Sequence, residues 1–97
     1  MNTPPNTQYC QNIEIIFSKV DGDLILLDIR KGKYFFINKI GSVIWEKLAT
    51  PQTFESLVDQ LLNEYNIDRT TCEQETAAFI ESVLNLGFLE TQQLSSE

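Results

Sequence analysis

The fold of this chain is decided by the stretch Lys31-Gly32-Lys33-Tyr34-Phe35-Phe36-Ile37-Asn38. Its four large apolar residues, 34–37, lie between a turn signal and an Asn of the kind that caps helices. The run is too short for an independent helix, and its aromatic content is typical of a β-strand. The chain before it has strand patterns and the chain after it has helix patterns. We therefore predict that this run closes a small sheet.

Two more strands are predicted upstream of it. Ile13, Ile15 and Phe17 lie on one face of an imperfectly alternating segment, which indicates a half-buried strand. Residues 24–29 are nearly all apolar, as expected of a central strand covered on both faces. The turn Asp21-Gly22-Asp23 joins the two strands, because Asp-Gly supplies the positive φ angles that tight hairpins need.

Short turns between successive strands predict an antiparallel meander whose first and third strands are edges. An edge strand carries unpaired N–H and C=O groups along one side, and it either is protected or binds another strand. Lys31 and Lys33 suit protection against edge-to-edge aggregation. The other interpretation is that an extended peptide adds to the third strand through main-chain hydrogen bonds. The residues alone leave both interpretations open.

Three helices are predicted after the sheet. Asn38 caps a helix over 39–49 and Thr53 caps a second. Thr70-x-x-Glu73 is a capping box for the third, which Gly87 ends. The fold class is therefore α+β, winged-helix-like, with a three-stranded antiparallel β-meander followed by three α-helices.

The ends of the chain differ from its centre. Residues 1–12 and 91–97 are polar, and we predict flexible N-terminal and C-terminal tails around a single domain at 13–90. Gly41 would weaken an isolated helix by about 1 kcal/mol relative to Ala. A close neighbour is therefore expected at that position.

The composition argues against an enzyme. The chain contains no His, which removes the commonest general base and metal ligand. Cys10 and Cys72 match no metal spacing, and free thiols suit a cytoplasmic protein. We expect no signal peptide, and the sequence has no apolar run of the roughly 18–20 residues that span a bilayer. We expect no catalytic residue, no metal, no cofactor and no membrane association.

Charge is unevenly distributed along the 97 residues. Residues 1–47 carry six basic and five acidic side chains, whereas residues 48–97 carry Arg69 against nine acidic side chains. A winged-helix DNA-binding regulator would read DNA with its third helix. Between Thr70 and Leu86 that helix has no Lys or Arg, so it is a poor match for phosphate.

Several short motifs follow one another along the chain in a characteristic order and spacing. They are Leu26-Leu27-Asp28, Gly32-Lys33-Tyr34-Phe35, Ile37-Asn38, Gly41 with Ile44-Trp45 and Leu48, Thr53-x-x-x-Leu57-Val58, Tyr65-x-Ile67-Asp68, Phe79-Ile80 and Leu84-x-x-Gly87-Phe88-Leu89. Together they resemble the PqqD-like family, also called RiPP recognition elements, whose founding member is pyrroloquinoline quinone biosynthesis protein D. The resemblance covers about residues 13–90, and Ile37 stands where Leu is usual.

The resemblance implies a non-catalytic, peptide-binding adaptor of natural product biosynthesis. It would bind the leader segment of a ribosomally made precursor peptide, in pathways of the pyrroloquinoline quinone or lasso-peptide type. It would present that leader, as a peptide chaperone, to a modifying enzyme such as a leader peptidase, a cyclase or a radical enzyme. The leader would add to strand three beside helix three. The expected peptide-binding residues are Lys33, Tyr34, Phe35, Phe36, Ile37, Glu75, Phe79 and Val83.

The expected orientation places Phe35 and Ile37 toward the helices and Tyr34 and Phe36 on the opposite face, since strand side chains alternate. Two other functions stay open at this point. One is the winged-helix DNA-binding regulator, and the other is an assembly module that dimerises through the same sheet edge. We expect a monomer or a weak homodimer that binds no nucleic acid.

Overall fold

The computed structural model describes residues 7–21 and 23–93 of the chain. Within them, two three-stranded antiparallel sheets and three helices make up an α+β fold. The elements in chain order are β1 Thr7–Gln11, β2 Ile16–Val20, β3 Asp23–Asp28, β4 Lys33–Ile37, α1 Lys39–Lys47, β5 Gln52–Thr53, α2 Phe54–Glu64, α3 Arg69–Asn85 and β6 Leu89–Gln93.

The predicted meander is confirmed as the sheet β2-β3-β4. Val20 pairs with Asp23 across the first hairpin, and Asp21 between them has a φ of 55°. That left-handed conformation is one that Asp tolerates better than most residues. Leu24 pairs with Ile37, so β4 runs along one side of β3 and β2 along the other.

The first strand of the meander begins later than predicted. Ile13 is 92% exposed, and Phe17 is half exposed, so only Ile15 of the expected buried set is buried. The physical reason is a turn at Asn12. Its side-chain oxygen accepts a hydrogen bond from the Glu14 N–H at 3.0 Å, and its carbonyl accepts one from Ile15 at 3.0 Å. Asn side chains compete with regular structure in this way.

A second sheet, with strand order β5-β1-β6, was not predicted. The expected tails at 1–12 and 91–97 are therefore wrong for residues 7–11 and 91–93, which are paired strands. Tyr9 of β1 is 1% exposed and belongs to the hydrophobic core. The rest of both predicted tails, residues 1–6 and 94–97, lies outside the described residues.

Two of the three predicted helix caps are confirmed. The side chain of Asn38 accepts a hydrogen bond from the Gly41 N–H at 2.9 Å, and that of Thr53 accepts one from Ser56 at 3.1 Å. The expected box at Thr70 is wrong, because α3 begins at Arg69 with Asp68 as its cap.

Asp68 is the N-cap residue because its carboxylate accepts hydrogen bonds from two donors of the same residue. Its oxygens accept from the N–H and from the hydroxyl of Thr71, each at 2.9 Å. These bonds, the backbone one foremost, hold the pKa of Asp68 below its ordinary value, because they favour the charged form. The third helix therefore starts earlier than the pattern indicated.

The core lies between the helices and one face of the meander. Leu24 and Leu26 of β3 are fully buried against it, together with Trp45 of α1. Ile25 and Leu27 point to the other face and are half-buried. The central strand is thus covered by helices on one face only, which corrects the expectation of cover on both.

Candidate functional site: the β4 edge and the groove beside α3

The outer edge of β4 is open in the part of the chain that the structure describes, since β4 pairs with β3 alone there. Backbone groups along such an edge alternate between those bonded inside the sheet and those facing outward. The outward set presents unpaired donors and acceptors to any extended chain that lies alongside. The edge is therefore a chemical template for a further strand.

Side chains along β4 alternate as the sequence predicts. Ile37 is 3% exposed and Phe35 is half-buried against the core. Tyr34 and Phe36, by contrast, are 65% and 67% exposed. Their rings pack edge to face on the outer side, with centroids 6.3 Å apart and planes at 82°, a favoured aromatic arrangement.

Two close approaches relate the second half of α3 to the two ends of β4. At the end of the strand, Ile37, Gly41 and Phe79 converge. At its start, the Lys31 amine lies beside Gly87, just past the helix. Because Phe79 lies near the Ile37 end of the strand, and Gly87 after the helix lies near Lys31 before the strand, the second half of α3 and β4 run in opposite directions.

Gly41 makes this close approach possible. A Cβ there would collide with Cγ2 of Ile37 and would stand only 3.1 Å from Cε1 of Phe79. The close neighbour expected from the sequence is thus found, and it consists of two side chains from different elements. The absence of a side chain at position 41 is what lets the strand end, the first turn of α1 and α3 meet.

A groove of about 370 Å³ opens at this junction. Its walls come from the first turns of α1 and from the middle of α3, and its surface is mostly apolar. Among the lining side chains only Glu75 is charged. The lining residues are Asn38, Ile40, Gly41, Ile44, Glu75, Ala78 and Phe79.

The structure sorts the expected peptide-binding residues into three groups. Glu75 and Phe79 line the groove, and the five residues of β4, from Lys33 to Ile37, form the open edge. Val83 is completely buried, so it supports the groove from the core and presents no surface to a ligand.

Sequence reasoning missed four residues that line the groove, and two of them have a periodic signal. Ile40 and Ile44 are separated by one helical turn, as are Glu75 and Phe79, and each pair therefore shares a face. Ala78 was passed over because small residues carry no periodic signal, although a small side chain is what keeps a groove open. Asn38 was assigned only its capping role.

Two other classes of site are absent from the described residues. No group of three or more Cys, Asp or Glu side chains capable of holding a metal ion occurs within residues 7–21 and 23–93. Across those residues, no helix has both the length and the apolar character needed to cross a membrane. The described residues do form the open β4 edge and the groove at its end.

The fold and the groove define a small α+β domain that presents an open sheet edge beside a helix. Two solved structures are similar to it. One is TbiB1 in complex with the TbiA(beta) leader peptide, with 30% identity, a TM-score of 0.74, and coverage of 84% of this chain and 94% of that one. The other is lasso peptide synthetase B1 complexed with the leader peptide, with 27% identity, a TM-score of 0.72, and coverage of 84% and 96%.

The family model of coenzyme PQQ synthesis protein D (PqqD) matches residues 23–89. The chain belongs to the PqqD family. No curated protein matches it. The resemblance drawn from the sequence motifs is thereby confirmed, together with the fold class that it implied.

Proposed function

We propose that this protein is a non-catalytic adaptor for a ribosomally synthesised precursor peptide. It binds the leader segment by β-strand addition to β4, beside α3, and presents it to a modifying enzyme or protease. The observation that carries the proposal is the open edge of β4 with the groove at its end. In strand addition, main-chain bonds supply general affinity and pockets for alternate side chains supply selectivity.

The orientation of the β4 side chains supports both parts of this proposal. Every second side chain of an added strand would point to the same face as Phe35 and Ile37, toward α3. The side chains between them would lie beside Tyr34 and Phe36 on the exposed face. A bound leader therefore contacts the protein with one face and leaves its other face exposed. This arrangement suits a protein that presents its ligand to an enzyme.

The solved neighbours support the same ligand class. Both are complexes with leader peptides, and each is matched over most of its own length. The chain has no His, so it lacks the commonest acid–base group, and chemistry on the precursor is left to a partner. A leader peptidase, a cyclase or a radical enzyme would fill that role.

The structure adds an argument against DNA reading by α3. The one cation of that helix, Arg69, is held by Asp59 at 3.0 Å and by Glu73 at 3.3 Å. These bonds raise its pKa and occupy the guanidinium group. Little positive charge remains on α3 to meet a phosphate backbone.

The test is a fluorescence anisotropy titration with the leader segment of the precursor encoded beside this chain's gene. Peptides N-methylated at single backbone positions then probe strand addition. Methylation at alternate residues should abolish binding, because those N–H groups donate to β4. Methylation at the intervening residues is the matched control and should leave affinity within about threefold. Equal effects at both parities would contradict strand addition, and no binding by the unmodified leader would contradict the function.

A further inference from the structure

The strip on the helix side of the open β4 edge, from Lys33 to the groove, has an exposed charge of opposite sign at each end. The acidic side chain opposite Lys33 on β3, that of Asp28, is buried. Lys33 begins β4 and shares the parity of Phe35 and Ile37, so it lies on the groove-facing side of the strand. Glu75 lines the groove at the far end, beside Ile40 and Phe79. Between the two charges lie the apolar side chains of Phe35, Ile37 and Phe79.

Glu75 is the charge on the groove side of α3. Helical spacing puts Phe79, Ser82 and Leu86 on its face, and none of these is charged. Glu81 is six residues from Glu75, a separation that turns its side chain away from that face. The acidic side chain of Glu73 is engaged by Arg69 at 3.3 Å.

The positive end is reinforced by a second lysine. The Lys31 amine lies beside Gly87, where α3 has just ended. A cation is favourable near the C-terminal end of a helix, which carries partial negative charge. Lys39, beyond the far end of β4, lines a different pocket with Lys19 and Glu46.

We propose that this polarity selects the leader's charge pattern: a basic residue at the Glu75 end of the strip and an acidic residue at the Lys33 end. The inference rests on the proposed function and specifies its ligand. Residues 33 and 37 are about 13 Å apart along an extended strand, and Glu75 lies just beyond. The two charged residues of the leader are therefore roughly four to six residues apart in its sequence. Both side chains lie on the face of the added strand that points toward α3, with apolar side chains between them.

Each exposed ion pair contributes modestly, so removal of one charge changes affinity by about twofold to fivefold. Charge reversal replaces attraction by repulsion and is expected to weaken binding by about tenfold at low ionic strength. The effect falls below about threefold in about 0.5 M salt, because the screening length there is only a few ångströms. Hydrophobic and main-chain contributions are much less sensitive to salt.

The experiment compares Glu75→Lys with Glu81→Lys in titrations with the same labelled leader. The two variants make the same charge change on the same helix, but only the first faces the groove. We expect Glu75→Lys to weaken binding about tenfold in low salt and Glu81→Lys less than about twofold. Equal loss in both variants, while the unmodified protein still binds, would overturn the inference and leave the proposed function standing.

A charge exchange gives the second, independent arm. The double variant Lys33→Glu, Glu75→Lys is titrated with the leader and with a leader whose acidic and basic residues are exchanged. Recovery of affinity with the exchanged leader supports the inference, and failure to recover it contradicts the assignment of the two ends. Circular dichroism of each variant establishes that it is folded. Failure of every leader to bind the unmodified protein would instead sink the proposed function.

Discussion

Gly41→Ala tests the junction on which the site is built, and the sign of its effect is the informative quantity. In an exposed helix this change would stabilise the protein by about 1 kcal/mol, since Ala is the better helix former. Here the new methyl group would collide with Cγ2 of Ile37 and crowd Cε1 of Phe79 at 3.1 Å. Ile37 is 3% exposed and β-branched, so its Cγ2 has little freedom to move.

Overpacking of a tight core costs about 1–3 kcal/mol, which exceeds the helical gain. We therefore expect Gly41→Ala to lower the free energy of unfolding by about 1 kcal/mol net. The assay is urea unfolding followed by circular dichroism. With an m-value of about 1.5 kcal/mol/M, the midpoint should fall by roughly 0.7 M.

The control is the same change in an Ile37→Ala background. Ile37→Ala alone removes the obstructing methyl and costs about 2–5 kcal/mol. In that background Gly41→Ala should stabilise the protein, because the helical gain then outweighs the remaining contact with Phe79. The two changes should thus couple by about 1–2 kcal/mol. A Gly41→Ala effect of the same sign and size in both backgrounds would refute the steric account.

Three further predictions concern single residues. Thr76→Val should raise the free energy of unfolding by up to about 1 kcal/mol, because the Thr76 hydroxyl is buried with no hydrogen-bond partner among the described residues. A lower free energy of unfolding, measured by urea unfolding, would mean that the hydroxyl is hydrogen-bonded. Asp68→Asn should keep the helix cap but remove a pH dependence of the stability. The lowered pKa of Asp68 gives stability that is present above the ordinary value of 3.8 and is lost as the pH falls further. An acid-unfolding curve that the substitution leaves unchanged would contradict this prediction. Phe35→Ala should lower stability by more than Phe36→Ala, since Phe35 packs on the core and Phe36 is 67% exposed; equal losses in thermal unfolding would count against the assigned faces.

The meander and the three helices were predictable because their signals are local. Aromatic and β-branched runs, a two-residue turn and apolar residues at helical spacing each act over a few positions. The second sheet had no such signal. Tyr9 of β1 pairs with Thr91 of β6, near the opposite end of the chain, and both strands consist mainly of Gln, Thr and other polar residues. Pairing at that separation depends on the packed core that brings the ends together.

The sequence predicted which strand forms the site, but it predicted less well which side chains reach the surface of the site. The edge of β4 follows from strand order, and the faces of Phe35 and Phe36 follow from strand periodicity. Helical periodicity, however, placed Val83 beside Phe79, because residues four apart share a face. Burial separates them: Val83 is inside the core, whereas Phe79 reaches the groove. Periodicity gives the direction of a side chain, but not how much of it a neighbouring element covers.

The capping error has a similar cause. Thr70 and Asp68 are both good capping residues, and a Glu three residues after Thr70 favoured the later start. In the structure, the Asp68 carboxylate instead accepts hydrogen bonds from both the N–H and the hydroxyl of Thr71. The choice between neighbouring caps depends on the bonds that each forms.

Amide hydrogen exchange along β4, measured by NMR with and without the leader, tests the central claim most directly. Strand addition predicts that alternate amides of Lys33–Ile37, which exchange quickly in the free protein, become protected when the leader binds. The intervening amides, already bonded to β3, should change little, and those on the outer edge of β2 serve as the internal control. Leader binding with no new protection along β4 would contradict the account.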